Sequence, residues 1–226
     1  MVTARFSEAD HALVTAAVAK AELASDGEIV TIVADKSDSY HDVGLHYAVL
    51  AMLLVPAVLA FVSRSCIEWM LQPFLGWNAG LSQGALMIFL FVLLALAFLI
   101  VRFALAWMPL RMALTPGSTK SRRVLRRALQ LFKVGAERRT VGRTGVLIYL
   151  SLLEHRAEIV ADEAIHSRVE PEVWGDAMAA LIEGVKAGHP GKGMANAVEK
   201  VGAVLAEHLP RSSTDINELP DRLIEL

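Results

Sequence analysis

Three carboxylates and one imidazole lie at or just beyond the ends of predicted strands. They are Asp35, Asp162, Glu163 and His166. Carboxylate oxygens are the ligands of hard cations such as Ca²⁺ or Mg²⁺, and an imidazole suits borderline ions. Because ligands in α/β sheets bind beyond the carboxyl ends of strands, we predict that these four residues are metal ligands. The alternative is a set of solvated loop side chains, since loops are polar whether or not they bind anything.

Other kinds of chemistry find little support in the residues. Cys66 is the single cysteine, which excludes an intrachain disulfide and a cysteine-based metal site. No serine lies in a G-x-S-x-G motif, and no Ser, His and Asp set is recognisable. The segment 142–145 (GRTG) precedes a strand instead of leading from a strand into a helix, which indicates a turn and not a phosphate-binding loop.

The candidate ligands depend on three predicted strands. Residues 28–34 (EIVTIVA) and 146–151 (VLIYLS) are β-branched and almost wholly apolar, as in strands covered on both faces. Residues 156–161 (RAEIVA) alternate in polarity, which predicts an antiparallel partner across a tight turn at residues 153–155. We expect one sheet in which 28–34 lies beside 146–151, because neither part of the chain can cover its own strands.

Helical patterns surround these strands. Ser7 and Asp10 fit a capping box ahead of an apolar stripe. A basic amphipathic helix is predicted through residues 118–134, and two closing helices follow, the first opened by Pro171 and the second ended by Pro210.

Two long apolar runs, with their interfacial flanks at about 45–63 and 85–107, interrupt this order. A helix that crosses the hydrocarbon core needs about 20 mostly apolar residues. The chain is 54% hydrophobic with a mean hydropathy of +0.45, and the excess lies in these runs. We therefore predict a transmembrane hairpin over 45–108. The alternative is a pair of buried helices in a soluble protein.

Charge is unevenly distributed along the chain. The net charge is −2, yet residues 111–143 carry ten Lys or Arg against one acid. Because cytoplasmic segments next to spans are rich in Lys and Arg, we predict a multi-pass inner-membrane protein with both termini cytoplasmic. Basic side chains near a span favour anionic lipid. The predicted lipid contacts are Arg111, Lys120, Arg122, Arg123, Arg126 and Arg127. A solvated helix face or nucleic-acid binding through residues 120–133 are the alternatives, the latter without interleaved aromatics or a recognition motif.

Several short motifs, in order, resemble the TPM domain. They are residues 25–30 (SDGEIV), the strand from Gly145, the turn at Glu154 and His155 leading to residues 158–162 (EIVAD), the closing helix pair and the tail at 217–220 (NELP). The resemblance is to the bacterial branch with a membrane hairpin inside the domain. It implies a three-layer α/β domain, with a small mixed sheet and helices on both faces. One departure is the stretch 162–166 (DEAIH), where typical TPM domains have a glycine-rich loop.

The resemblance sets the expected organisation and function. A TPM-like domain comprises residues 6–36 and 118–209, the hairpin separates them, and residues 210–226 form a tail. Family members are described as acid phosphatases, as metal-binding proteins or as factors in membrane-protein assembly or repair. We expect a cytoplasmic binding or assembly and quality-control factor at the membrane surface, whose partners are the bilayer and another membrane protein. A metal-assisted phosphatase is the first alternative, and binding of anionic lipid or nucleic acid by the basic helix is the second.

Overall fold

The computed structural model describes residues 6–75, 82–135, 144–169, 171–212 and 219–226. The chain divides into two compact units. Met1–Asp38 together with Pro116–Leu226 form the first, which we name the α/β unit, and Ser39–Thr115 form the second, which we name the helical unit.

The regular elements follow one another in the predicted order, with additions. The strands are β1 (Glu28–Ala34), β2 (Gly145–Ser151), β3 (Arg156–Ala161) and β4 (Ile224–Glu225). The helices are α1 (Glu8–Glu22), α2 (His41–Leu59), α3 (Arg64–Leu75), α4 (Gln83–Ala104), α5 (Met108–Leu114), α6 (Gly117–Gly135), α7 (Glu163–His166), α8 (Gly175–Lys186) and α9 (Pro190–His208).

The four strands form one mixed sheet in the order β3-β2-β1-β4. β1 runs parallel to β2, with Glu28 beside Gly145 and Ala34 beside Ser151. β3 pairs with β2 in the antiparallel direction, and β4 runs parallel to β1. The predicted α/β class with a mixed sheet is confirmed, and β1 lies beside β2 as predicted.

Helices cover both faces of the sheet, because successive strand residues point to opposite sides. On one face, Ile29, Val33 and Ile148 are buried in a core built with α1, α8 and α9. On the other face, Leu147 and Tyr149 pack in a second core with α6. Every residue of β1 and β2 is buried, as their apolar composition predicts for central strands.

Capping fixes the start of α1. The Ser7 hydroxyl accepts a hydrogen bond from the Asp10 backbone N–H at 3.1 Å, and the Asp10 carboxylate accepts one from the Ser7 N–H at 2.9 Å. The bonds from the Ser7 hydroxyl and N–H hold the pKa of Asp10 below its usual value. The predicted capping box is therefore confirmed.

The segment 210–226, predicted only as a tail, contributes to the sheet. The Leu226 N–H donates to the Val33 carbonyl at 2.9 Å, and the Asp35 N–H donates to the Leu226 carbonyl at 3.2 Å. Leu219 and Leu223 are each 4% exposed, so this segment also contributes to both cores. A two-residue strand is too short to leave an alternating pattern in a sequence. Residues 217 and 218 of the tail motif lie outside the described residues.

Two helices of the helical unit, α2 and α4, pack against each other and are almost entirely apolar. They have 19 and 22 residues, and both are long and apolar enough to cross a membrane. No α4 side chain is buried. Within the same unit, Arg111 is 3% exposed, and its guanidinium donates to the carbonyls of Leu105 and Ser39, each at 2.7 Å. Since protein carbonyls occupy this guanidinium, the structure does not present Arg111 to a lipid headgroup.

Candidate functional site

The structure separates Asp35 from the other three predicted metal ligands. Asp35 follows β1 at the carboxyl ends of β1 and β2. β3 is antiparallel to β2, so Asp162 follows it at the opposite end of the sheet, where its N–H donates to the Gly145 carbonyl at 3.0 Å. Seven strand residues lie between these ends, a distance of roughly 20 Å. Asp35 and Asp162 therefore belong to no common site.

The other two candidates follow Asp162. Glu163 opens α7 and is exposed, and Asp162 itself is 5% exposed. His166 ends α7, and its side chain lies outside the described residues. Among the described residues, no three His, Cys, Asp or Glu side chains are grouped as a metal site would require. The expected convergence of these four residues is therefore not formed by the fold.

A different polar cluster occupies the carboxyl ends of β1 and β2. The Ser37 hydroxyl donates to the Ser151 hydroxyl at 2.9 Å and lies 3.0 Å from the Tyr149 phenol oxygen. The Glu154 carboxylate accepts from the Ser37 N–H at 2.8 Å and from the Ser151 hydroxyl. We name Ser37, Tyr149, Ser151 and Glu154 the hydroxyl–carboxylate cluster. It joins the segment after β1 to the turn after β2.

Burial makes this cluster unusual for a loop. Tyr149 and Ser151 are 0% exposed and Glu154 is 5% exposed. A buried carboxylate is costly unless hydrogen bonds satisfy it, and here an N–H and a hydroxyl do so. Burial raises the pKa of Tyr149, and the negative charge of Glu154 adds to the rise, whereas hydrogen bonding with Ser37 and Ser151 lowers it. The phenol therefore stays protonated at neutral pH.

Successive side chains of β2 point to opposite faces of the sheet, and this alternation positions the hydroxyl–carboxylate cluster. Leu147, Tyr149 and Ser151 point to the face that α6 covers, and the turn that follows returns Glu154 to the same edge. The sequence does carry a signal for this, since a hydroxyl and a phenol on one face of an otherwise apolar strand require hydrogen-bond partners. None of the four residues of this cluster was among the predicted site residues.

An ion pair holds Asp38, the residue that follows Ser37 of the cluster. Arg123 of α6 donates to the Asp38 carboxylate at 2.8 Å, and the Arg123 side chain is only 15% exposed. A predicted lipid contact is thus held within the α/β unit. Together with the hydroxyl–carboxylate cluster, this pair fastens residues 37 and 38, which directly precede the helical unit.

The remaining predicted lipid contacts lie along α6. Lys120 is partly buried, whereas Arg122, Arg126 and Arg127 are exposed. The opposite face of α6 buries Val124 in the core. The exposed face of α6 is therefore a basic surface, as its period predicts.

The fold places this protein in a structural class: an α/β domain with a mixed sheet, whose chain is interrupted by an apolar helical unit. A solved structure similar to it is the NMR structure of the BA42 protein from the psychrophilic bacterium Bizionia argentinensis sp. nov.. The TM-score is 0.57 at 16% sequence identity, with 100% of this chain and 99% of that chain covered. At this identity the likeness concerns the fold alone. No protein-family model matches the chain, and no curated protein does.

Proposed function

We propose that this chain is an integral membrane protein with spans α2 and α4, whose α/β unit is a TPM-like binding or assembly factor at the inner-membrane surface. The observation that carries the proposal is the length and exposure of α4. Its 22 residues extend about 33 Å, which matches a hydrocarbon core of about 30 Å. The 19 residues of α2 extend about 28 Å.

The exposed side chains of α4 support a lipid environment. Ile88, Phe91, Ile100 and Phe103 are 64–71% exposed. Contiguous apolar patches on soluble proteins rarely exceed a few hundred Å², because each further Å² in water costs free energy. In a bilayer, lipid tails cover these side chains, so no other protein surface is needed to shield them from water.

The basic face of α6 supports a surface role for the α/β unit. Gly117 begins α6 only three positions after Leu114, so the helix is tied closely to the helical unit along the chain. Arg122, Arg126 and Arg127 would each gain about 1 kcal/mol beside anionic lipid. The bias of Lys and Arg toward this segment also supports cytoplasmic termini.

The α/β unit supports the TPM-like assignment through its three layers and through the motifs at β1, β2 and the β2–β3 turn. The fold does not favour a metal-assisted phosphatase, because the predicted ligands Asp35 and Asp162 lie at opposite ends of the sheet. Nucleic-acid binding has no observation in its favour beyond the charge of α6.

The native cysteine tests the proposed membrane crossing and topology. Cys66 is exposed and lies between α2 and α4. A membrane-impermeant maleimide should label it in intact cells, and the protein should stay in the membrane after an alkaline carbonate wash. The matched control combines Cys66→Ser with Glu207→Cys on α9, which should be labelled only after permeabilisation. Release by carbonate would refute the spans, and the opposite labelling pattern would refute the orientation.

A further inference from the structure

A cavity of about 410 Å³ lies between α8 and the β2–β3 hairpin. Its apolar walls are Leu150 and Ala157 from the hairpin and Leu181, Ile182 and Val185 from α8. Small-molecule sites are typically concave, largely apolar and about 300–1,000 Å³ in volume. This cavity has that size and that lining, and it lies wholly within the α/β unit.

Basic residues complete the lining. His155 comes from the hairpin turn and Lys186 from the last turn of α8, and both are exposed. Arg156 also lines the cavity, but its guanidinium approaches Gly117 of α6, so its charge lies toward the other face of the sheet. Among the described residues, no carboxylate lines this cavity. An apolar cavity with a lysine ammonium and an imidazole at its edge is complementary to an anion with an apolar body, because the ammonium pairs with the anion and the imidazole N–H can donate to it.

The conformation of the hairpin turn fixes where the His155 side chain lies. Its φ is +50°, in the left-handed region that histidine adopts more often than most residues with a large side chain. At this turn the side chain is an imidazole at the edge of the cavity.

We propose that this cavity binds a small carboxylate with an aliphatic body, of the class of medium-chain fatty acids. The aliphatic chain packs against Ala157, Ile182 and Val185, which keep accessible surface above the buried Leu181, and the carboxylate lies between His155 and Lys186. This inference does not depend on the proposed membrane function, because every residue that it uses belongs to the α/β unit.

The test uses the full-length protein in nanodiscs of neutral phosphatidylcholine. The probe is a decanoate analogue with a diazirine at its chain end, and mass spectrometry locates the cross-links. We expect cross-links in residues 181–185, competed by decanoate and not by decanol at equal concentration. Cross-links confined to α2 and α4 would overturn the proposal. Equal competition by decanol would also overturn it, because Lys186 and His155 would then have no role in binding the carboxylate.

Variants separate the chain pocket from the charges. Ile182→Trp fills the cavity and should abolish the competed cross-link. His155→Asn and Lys186→Gln should each weaken decanoate competition about threefold to fivefold, the scale of a solvent-exposed ion pair. His155→Asn retains a residue that tolerates the left-handed backbone, so it should also preserve the melting temperature.

The matched control is Lys192→Gln, which removes an exposed lysine that does not line this cavity. Its competition should change by less than about twofold, since distant exposed charges are screened. If Lys192→Gln weakens competition as much as Lys186→Gln, the carboxylate is held by overall charge and the proposed site is wrong. If Ile182→Trp fails to fold, the two charge variants still decide the question.

Discussion

Thr31 lies in the middle of β1, and stability measurements can test whether its buried hydroxyl destabilises the fold. The side chain is 1% exposed, and its Oγ1 is one of the buried atoms without a hydrogen-bond partner among the described residues. Its neighbours along the same face, Ile29 and Val33, lie in the core under α1 and α9. A buried polar atom without a partner costs about 1–3 kcal/mol, which a methyl group would avoid. Thr31→Val should therefore raise the free energy of unfolding by about 1–2 kcal/mol.

The assay is urea unfolding of the full-length protein in mild detergent, read by pulse proteolysis of the unfolded α/β unit. With a denaturant slope of about 1–3 kcal/mol per M, the gain should move the midpoint upward by roughly 0.5–1 M. Val33→Thr is the matched control, because it places a hydroxyl on the same strand face at a site that is 3% exposed. It should lower the midpoint. A Thr31→Val midpoint equal to or below that of the wild type would show that the hydroxyl has a partner and refute the reasoning.

Three further predictions concern packing, the cluster and pH. Gly184→Ala should lower the free energy of unfolding by about 1–3 kcal/mol or more, because a Cβ there would lie 2.3 Å from the α9 backbone. The control is Gly175→Ala, whose Cβ meets nothing within 4 Å, and it should be neutral or stabilising in the same urea assay. Glu154→Ala should cost about 2–3 kcal/mol, since it leaves a buried N–H and hydroxyl without their acceptor, and an unchanged midpoint would contradict the cluster. Ser7→Ala should cost about 1 kcal/mol at pH 7. Because the folded pKa of Asp10 is lowered, its contribution to stability is present above the unfolded pKa of about 3.9 and is lost as the pH falls below that value. The difference in unfolding free energy between Ser7→Ala and wild type should therefore shrink in acid. A difference that stays constant with pH would refute this prediction.

Local patterns were sufficient to predict much of the fold. The β-branched composition of residues 28–34 and 146–151 identified the central strands, and the capping box identified the start of α1. These features depend on neighbours within a few residues. The placement of β1 beside β2 was predicted because neither part of the chain can cover its own strands, whereas their parallel direction was not predicted. In contrast, α3, α5 and β4 were not predicted; α5 and β4 have only seven and two residues, too few to leave a clear periodic pattern.

The site was predicted less well than the fold. Asp35 and Asp162 both follow strands, but strand direction decides which edge of the sheet each one reaches, and the antiparallel β3 sends Asp162 to the far edge. The hydroxyl–carboxylate cluster joins Ser37 to Tyr149, Ser151 and Glu154, more than a hundred residues further along the chain, so the complete set has no local spacing to recognise. Its trace in the sequence is limited to Tyr149 and Ser151 in an apolar strand.

The position of β1 constrains how the protein is made. Its two neighbours in the sheet, β2 and β4, begin at residues 145 and 224. When the ribosome has just synthesised β1, neither strand that will pair with it has been translated. At about 5–20 residues per second, more than a hundred residues take on the order of 10 s. During that interval the apolar run 45–108 is translated, while an unpaired apolar strand remains a template for wrong pairing. The nascent chain should therefore be a client of a ribosome-associated chaperone at its first 40 residues or so, before any of its α/β core can assemble.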